Sequence, residues 1–234
     1  MIIQTSLSAP SSAFGVGRVV YVIRVASGDH CGSLTVKTAP GSVWQFDAGN
    51  TAGRTPAVDS SDRSLSIAAN GGQGQDFLDA GRDAWALTLP TSDLDSLSLV
   101  VNAGEGQVSL PGARINRLAL TANAAEMLVD ASAASVTDLS AVINVGSMSI
   151  RLPAASDVVG SLRVGAGQLD ICSPPGVGLR VTSRGTAEMV RVDGLQQHAS
   201  EWQSPDYASA SHRADLNVSV NFGVVEINPI GGCK

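Results

Sequence analysis

Aromatic residues are scarce in this chain of 234 residues: four Phe, three Trp and two Tyr, or 4% of the total. Charge is scarce as well, with Asp, Glu, Lys and Arg at 15%. A core with so few rings has to be built from Val, Leu, Ile and Ala, and a hydrophobic content of 44% supplies enough of them to exclude a wholly disordered chain. The 15 Lys and Arg are outnumbered by 21 Asp and Glu, for a formal net charge of -6, and the cations stand singly along the sequence. Counterion release along a phosphate backbone needs clustered cations, so nucleic acid is excluded as a partner. No apolar run approaches the ~18 residues of a membrane helix. The strongest, Val19 to Val25, is interrupted by Arg24. Met1 to Ser12 has neither the basic start nor the apolar stretch of a signal peptide. The expectation is a soluble chain with no membrane span of its own, cytoplasmic or held at an envelope through a partner.

Cysteine is nearly absent too. Cys31, Cys172 and Cys233 match no zinc or redox spacing, and an odd number cannot pair completely within one chain. Each is expected as a small buried or turn residue. Helix signals are almost wholly missing, which leaves strands as the material of the fold.

What the sequence has in quantity is glycine, 25 residues, and a period. Segments starting at Leu97, Leu118, Leu139 and Gly160 succeed one another at intervals of 21 residues. Their first strands align as Leu99, Leu120, Ala141 and Leu162, then Val101, Ala122, Ile143 and Val164. A turn column follows, Asn102, Asn123, Asn144 and Gly165, and two residues later Gly104, Ala125, Gly146 and Gly167. Second strands align as Val108, Val129, Ile150 and Ile171, and behind them stand Pro111, Ser132, Pro153 and Pro174. Apolar residues alternate within each segment, which is strand periodicity with one face buried and one wet.

A unit of this size cannot bury its apolar face alone, but stacked copies pair strand on strand and share a core. The fold expected is all-β, a single-domain parallel β-solenoid, helix-like in its winding, with repeats of about 21 residues. Parallel copies ~4.8 Å apart place each residue above its own kind, so small aliphatic columns suffice and large rings are unnecessary. The asparagine column has two readings. Asn tolerates the left-handed backbone of a sharp corner, and stacked amides form hydrogen-bonded ladders.

Outside the regular block the pattern weakens. Val19 to Val25, Leu34 to Val36, Val43 to Phe46, Leu65 to Ile67 and Ala84 to Leu89 read as strands. Leu179 to Val192, with a turn at Ser183 to Gly185, and Leu216 to Ile227, with a turn at Asn221 to Gly223, read as variant units. Gly49 to Arg63 and Gln196 to Arg213 read as loops. Residues 1–33 form an N-terminal strand or cap region, and 34–230 the repeating domain with its long loop at 196–213.

Few residues suggest chemistry. The offset of 21 places Glu105 over Glu126, a carboxylate pair at about the ~5 Å separation of a retaining glycosidase. Both sit in a turn, with Ser147 and Gln168 in the next copies, and the bland reading is two solvated carboxylates. Asp130 falls over Arg151 as a surface ion pair. His198, Glu201, His212 and Asp215 include metal-ligating types, but neither these nor His30 stand at a ligand spacing, and no metal or cofactor is expected. Asn217-Val218-Ser219 fits a glycosylation sequon, in an expected core strand. The loop gathers Trp202, Pro205, Asp206 and Tyr207. Clustered aromatics there could bind a partner, or fold back and cap the open end of the rod.

The units Leu97-Ser-Leu-Val-Val-Asn-Ala-Gly-Glu-Gly-Gln-Val and Leu162-Arg-Val-Gly-Ala-Gly-Gln-Leu-Asp-Ile resemble the strand-turn-strand units of bacterial "putative adhesin" and toast-rack domains. These domains occur in the LiaF-like regulators of the cell-wall-active antibiotic response. The step Pro174-Pro-Gly-Val-Gly-Leu-Arg-Val, the loop Ser204-Pro-Asp-Tyr and the closing Val220-Asn-Phe-Gly-Val-Val-Glu-Ile extend the resemblance over Leu34 to Ile227. It implies a non-enzymatic interaction or scaffold module linked to adhesion or stress signalling at the bacterial cell envelope, with an unknown protein partner or self-association. Two other classes remain open: a carbohydrate-active β-helix protein that binds or cleaves glycan, and a bactofilin-like rod that assembles end to end.

Overall fold

In the computed structural model of the chain, the residues described are 3–10, 21–26, 32–50, 55–61, 63–69, 83–91, 93–184, 190–199 and 201–233. His30, Cys31, Val19 and Gly185 lie outside them. The first strands in order are β1 Ile3–Pro10, β2 Tyr21–Ala26, β3 Gly32–Ala39, β4 Val43–Asn50, β5 Ala57–Ser60, β6 Ser64–Ala68 and β7 Asp83–Pro90. Four long strands follow, β8 Asp93–Ser109, β9 Arg114–Asp130, β10 Ser135–Arg151 and β11 Val158–Cys172. The last are β12 Val177–Arg184, β13 Val190–Val192, β14 Gln196–His198, β15 Glu201–Gln203 and β16 His212–Ile227. All belong to one sheet, mostly parallel, and no helix occurs among the described residues.

The register follows the sequence columns. Leu97 pairs with Leu118, Leu118 with Leu139, and Leu139 with Gly160, each one strand further along a parallel sheet. The next neighbour is β16, with Gly160 opposite Leu216, so the segment between β11 and β16 is looped out of the stack. It returns as β12 on the far side of β16, where Leu179 lies opposite Ala214.

Each long strand bends inside its own length. In β9 the buried side chains are Ile115, then Leu118, Leu120 and Ala122, and then Ala125, Met127 and Val129, so the buried parity changes between 115 and 118 and again between 122 and 125. A flat strand cannot do this, because its side chains alternate strictly. A corner that turns the second half towards the first keeps both apolar rows on the inside. In β8 a Cβ placed on Gly106 would lie 3.1 Å from Val101 Cγ2, so the two halves of one strand face each other. At the corner of β10, Gly146 has φ +118, and a Cβ there would collide with the carbonyl oxygen of Ala125 on the preceding strand. Adjacent strands pass too closely at this point for a side chain in that conformation. The asparagines two residues earlier are not the left-handed residues, since Ala199 and Asn228 are the non-glycine residues with positive φ among those described. Their amides form the ladder. Asn123 Nδ2 donates to Asn102 Oδ1 across 2.5 Å, and Asn144 Nδ2 to Asn123 Oδ1 across 2.6 Å.

The core is one continuous cluster from Leu34 to Ile227. It is overwhelmingly aliphatic, and its only close aromatic contact among the described residues is the edge-on pair Phe46 and Trp85, with ring centres 5.6 Å apart.

Several expectations are corrected. The stack is not parallel throughout: β1, β4 and β7 pair antiparallel at one end, β12, β15 and β14 at the other, and β5 with β6. β5 with β6 and β14 with β15 are consecutive strands joined by short turns, for which antiparallel pairing is the accessible geometry, whereas β1, β4 and β7, and β12 with β15, pair across longer stretches of chain. The segments 49–63 and 196–213 are not wholly loops, since they contain β5, β14 and β15. The core strand expected around the sequon is β16, in which Leu216 and Val218 take the inner positions and Asn217 is exposed on the outer face.

Cys172 and Cys233, each expected as a small buried or turn residue, are joined in a disulfide, with Cα atoms 5.8 Å apart and 61 residues of separation. The bridge straps the C-terminal segment onto the sheet. Arg151 Nη2 donates to the Cys233 carbonyl across 3.0 Å, and the Ser173 amide donates to Asn228 Oδ1 across 2.8 Å.

Candidate functional site

The segment from β14 to β16 is where the aromatic side chains meet charge. Trp202, in β15 opposite Val181 of β12, is buried against the core. After it the chain makes tight turns, in which the amides of Ser209 and Ala210 donate to the Asp206 carbonyl across 3.0 and 2.9 Å. Pro205 and Asp206 are exposed at the apex, and Tyr207 is half-buried beneath it. The turn rests on Gly178, where a Cβ would lie 2.8 Å from the Tyr207 Cα. Only glycine fits under this crossing.

Asp215 on β16 organises the cluster. Its Oδ1 accepts from Arg180 Nε at 2.7 Å and from the Tyr207 hydroxyl at 2.6 Å. The Arg180 guanidinium lies 5.0 Å from the centre of the Tyr207 ring, and that of Arg213 lies 5.7 Å from it, so the ring has two cations within cation–π range. Arg213 also donates to the carbonyls of Tyr207 and Ala208, at 3.0 and 3.1 Å. Burial, and next the hydrogen bond to Asp215, hold the Tyr207 phenol above its ordinary ionisation range. The Arg180 pKa is raised chiefly by its hydrogen bond to Asp215.

The other expected residues are dispersed. Glu105 and Glu126 are direct register partners on β8 and β9, both exposed at the corner. Arg151 Nη1 and Asp130 Oδ2 are 3.9 Å apart. The Asp130 pKa is lowered first by the Ser132 hydroxyl, which donates across 2.6 Å, with a smaller contribution from Arg151. His198 and Glu201 face each other across β14 and β15, whereas His212 Nδ1 lies 3.6 Å from Asp157 Oδ1. Asp215 is committed to Arg180 and Tyr207, so these groups do not converge. No cluster of three or more His, Cys, Asp and Glu suited to a metal occurs among the described residues.

A groove of about 570 Å³, which the apolar columns of the sequence do not mark, lies on the outer face of β9, β10, β11, β16 and β12. Its floor is a row of short polar side chains, Ser140, Ser161 and Asn217, in register on successive strands. One wall carries Arg117 and Asp138, which are register partners, and Val159. The opposite wall carries Arg163, Ser219 and Arg184. Arg117, Arg163 and Arg184 are exposed and make no hydrogen bond or ion pair among the described residues. The signal was available: reading the 21-residue columns for their outward residues, as well as for the apolar ones, collects Arg117 and Asp138 in one column and Val142 and Arg163 in another.

No known protein family profile matches the chain, and no curated protein sequence matches it. Solved structures do. A protein of Clostridium sporogenes described as a "putative cell adhesion protein" is 11% identical, with a TM-score of 0.58 over 97% of this chain and 99% of its own. A "putative adhesin" of Parabacteroides merdae is also 11% identical, covering 96% and 95%, with a TM-score of 0.38. At 0.58 the fold is shared from end to end. At 0.38 the correspondence is too loose to carry an argument. No helix among the described residues is long and apolar enough to cross a membrane.

Proposed function

We propose that the chain is a single-domain parallel β-solenoid. Residues 34–230 wind as coils of about 21 residues, 1–33 serve as the N-terminal strand or cap region, and 196–213 close the other end. In this reading it is a non-enzymatic adhesion module that works outside the cytoplasm, at a bacterial cell envelope. The observation that carries the reading is the length of the match to the Clostridium sporogenes protein, 97% of one chain and 99% of the other. The shared architecture runs the length of both chains. Fold alone does not determine function, and the Cys172–Cys233 bridge supplies independent support. Disulfides persist in oxidising compartments and are rare where thiols are kept reduced.

The aromatic loop works here as a cap. Trp202 is inside the core, and Tyr207 is held by Asp215 and two arginines, so neither is free to engage a partner without undocking. Partner contact then falls to the regular outer face of the coils.

Labelling of intact cells of the source bacterium with a membrane-impermeant amine reagent tests the location. Modification of the chain before lysis is the expected result. Modification only after lysis overturns the envelope reading.

A further inference from the structure

The outer-face groove has the chemistry of a binding site. Along its floor, Ser140, Ser161 and Asn217 repeat at the strand spacing of ~4.8 Å, about the length of one sugar ring, and present hydroxyls and an amide. On one wall, Arg163 and Arg184 share a register column with Ser219 of β16 between them. Their backbones are therefore two strand spacings apart, ~10 Å. Arg117 stands on the opposite wall. Three guanidiniums against the single carboxylate of Asp138 make the groove cationic on a chain whose formal net charge is -6.

Arginine presents a planar fork of donors that matches a carboxylate in a bidentate pair. An exposed arginine with no protein partner has this fork available. Hydroxyl and amide groups serve sugar hydroxyls as donor and acceptor together.

We propose that this groove binds an acidic polysaccharide carrying uronate carboxylates on alternate sugars, laid along the stacking direction across β9 to β12. Arg163 and Arg184 take successive carboxylates on one side of the chain, and Ser140, Ser161 and Asn217 contact the sugar hydroxyls between them. The proposal rests on the adhesion reading and names its ligand class. Single-stranded nucleic acid fits poorly, because no aromatic side chain lines the groove to stack a base. An acidic peptide would use the arginines but has no need of the polar floor.

Affinity electrophoresis of the full chain tests this. The gels contain hyaluronan, whose carboxylates fall on alternate sugars, or its carboxyl-reduced counterpart, or polyglutamate. Retardation by hyaluronan alone is expected, weakening as salt rises. The double variant Arg163→Gln/Arg184→Gln is expected to bind at least tenfold more weakly, with an unchanged melting temperature because both side chains are exposed. Arg191→Gln, whose residue pairs with Glu226 outside the groove, retains binding. Ser161→Trp fills the floor and also abolishes retardation. Equal retardation by the carboxyl-reduced polymer or by polyglutamate, undiminished binding by the double variant, or no retardation by hyaluronan overturns the proposal. The adhesion reading stands or falls separately on the labelling of intact cells.

Discussion

Asn123 donates its side-chain amide to the side-chain carbonyl of Asn102, 21 residues earlier and one strand away, and in turn accepts from Asn144. An amide in this position is both donor and acceptor along the stacking axis. The ladder stops at Gly165, the register position between Val164 and Ala166 in the next strand.

Replacing the middle rung therefore removes two hydrogen bonds, and replacing an end removes one. At roughly 1 kcal/mol for each bond, and more where a half-buried partner is left unsatisfied, Asn123→Ala costs about 2 kcal/mol and Asn144→Ala about 1. Urea denaturation of the two variants is expected to give this order. Equal losses would show that the amides act independently.

The corner glycines give a second test. Gly146 lies at φ +118 with the Ala125 carbonyl where a Cβ would go, whereas Ala125 itself, in the same column, has ordinary φ. Gly146→Ala is expected to cost at least the ~1–3 kcal/mol of a strained backbone. Ala125→Gly costs no more than about 1 kcal/mol. Thermal melts of both variants check the contrast.

The disulfide closes a loop of 61 residues in sequence separation. Chain-entropy arguments put its contribution at up to about 4 kcal/mol. The Cys172→Ser/Cys233→Ser variant is expected to melt well below the oxidised chain. Thiol titration of the denatured, unreduced protein is expected to find one thiol per chain, and after reduction all three cysteines. Three thiols before reduction would contradict the bridge.

Tyr207 makes loop docking sensitive to alkaline pH. Its folded pKa is raised above the ordinary value of about 10, by burial and by donation to Asp215. A raised folded pKa means that its contribution to stability is complete below the unfolded value and is lost as pH rises through the folded value. Ionisation removes the proton donated to Asp215 and sets two anions side by side. Absorbance titration of the tyrosines is expected to show a late step that is missing in Tyr207→Phe. Trp202 emission is expected to shift red over the same pH range as the loop lifts.

Legibility in the sequence divides along physical lines. Leu97, Leu118 and Leu139 repeat because adjacent parallel strands bury the same position each time, so their register is legible in the sequence. The antiparallel ends were not, because β1, β4 and β7 pair across distances that no local period records. The disulfide joins Cys172 to Cys233 through a C-terminal strap that lies outside the repeat, and counting cysteines could not pair them. The capping tendency of Trp202 and Tyr207 could be suspected from composition. Asp215 as the anchor of Tyr207 could not, since Arg180 reaches it through an offset of 35 residues created by looping out the segment between β11 and β16. The arginine groove is not legible in the apolar columns, because its charged and polar residues lie on the intervening, outward-facing ones.

The central claim is the parallel stacking of 21-residue coils, and paired spin labels test it most directly. Labels at Glu105→Cys and Glu126→Cys, in a chain with Cys31→Ser and the native disulfide kept oxidised, occupy adjacent strands ~5 Å apart. Labels at Glu105→Cys and Gln168→Cys lie three strands apart, ~14 Å. Strong dipolar broadening for the first pair and weaker broadening for the second is the predicted result. Absence of broadening between positions 105 and 126, or broadening as strong between 105 and 168, would contradict the account.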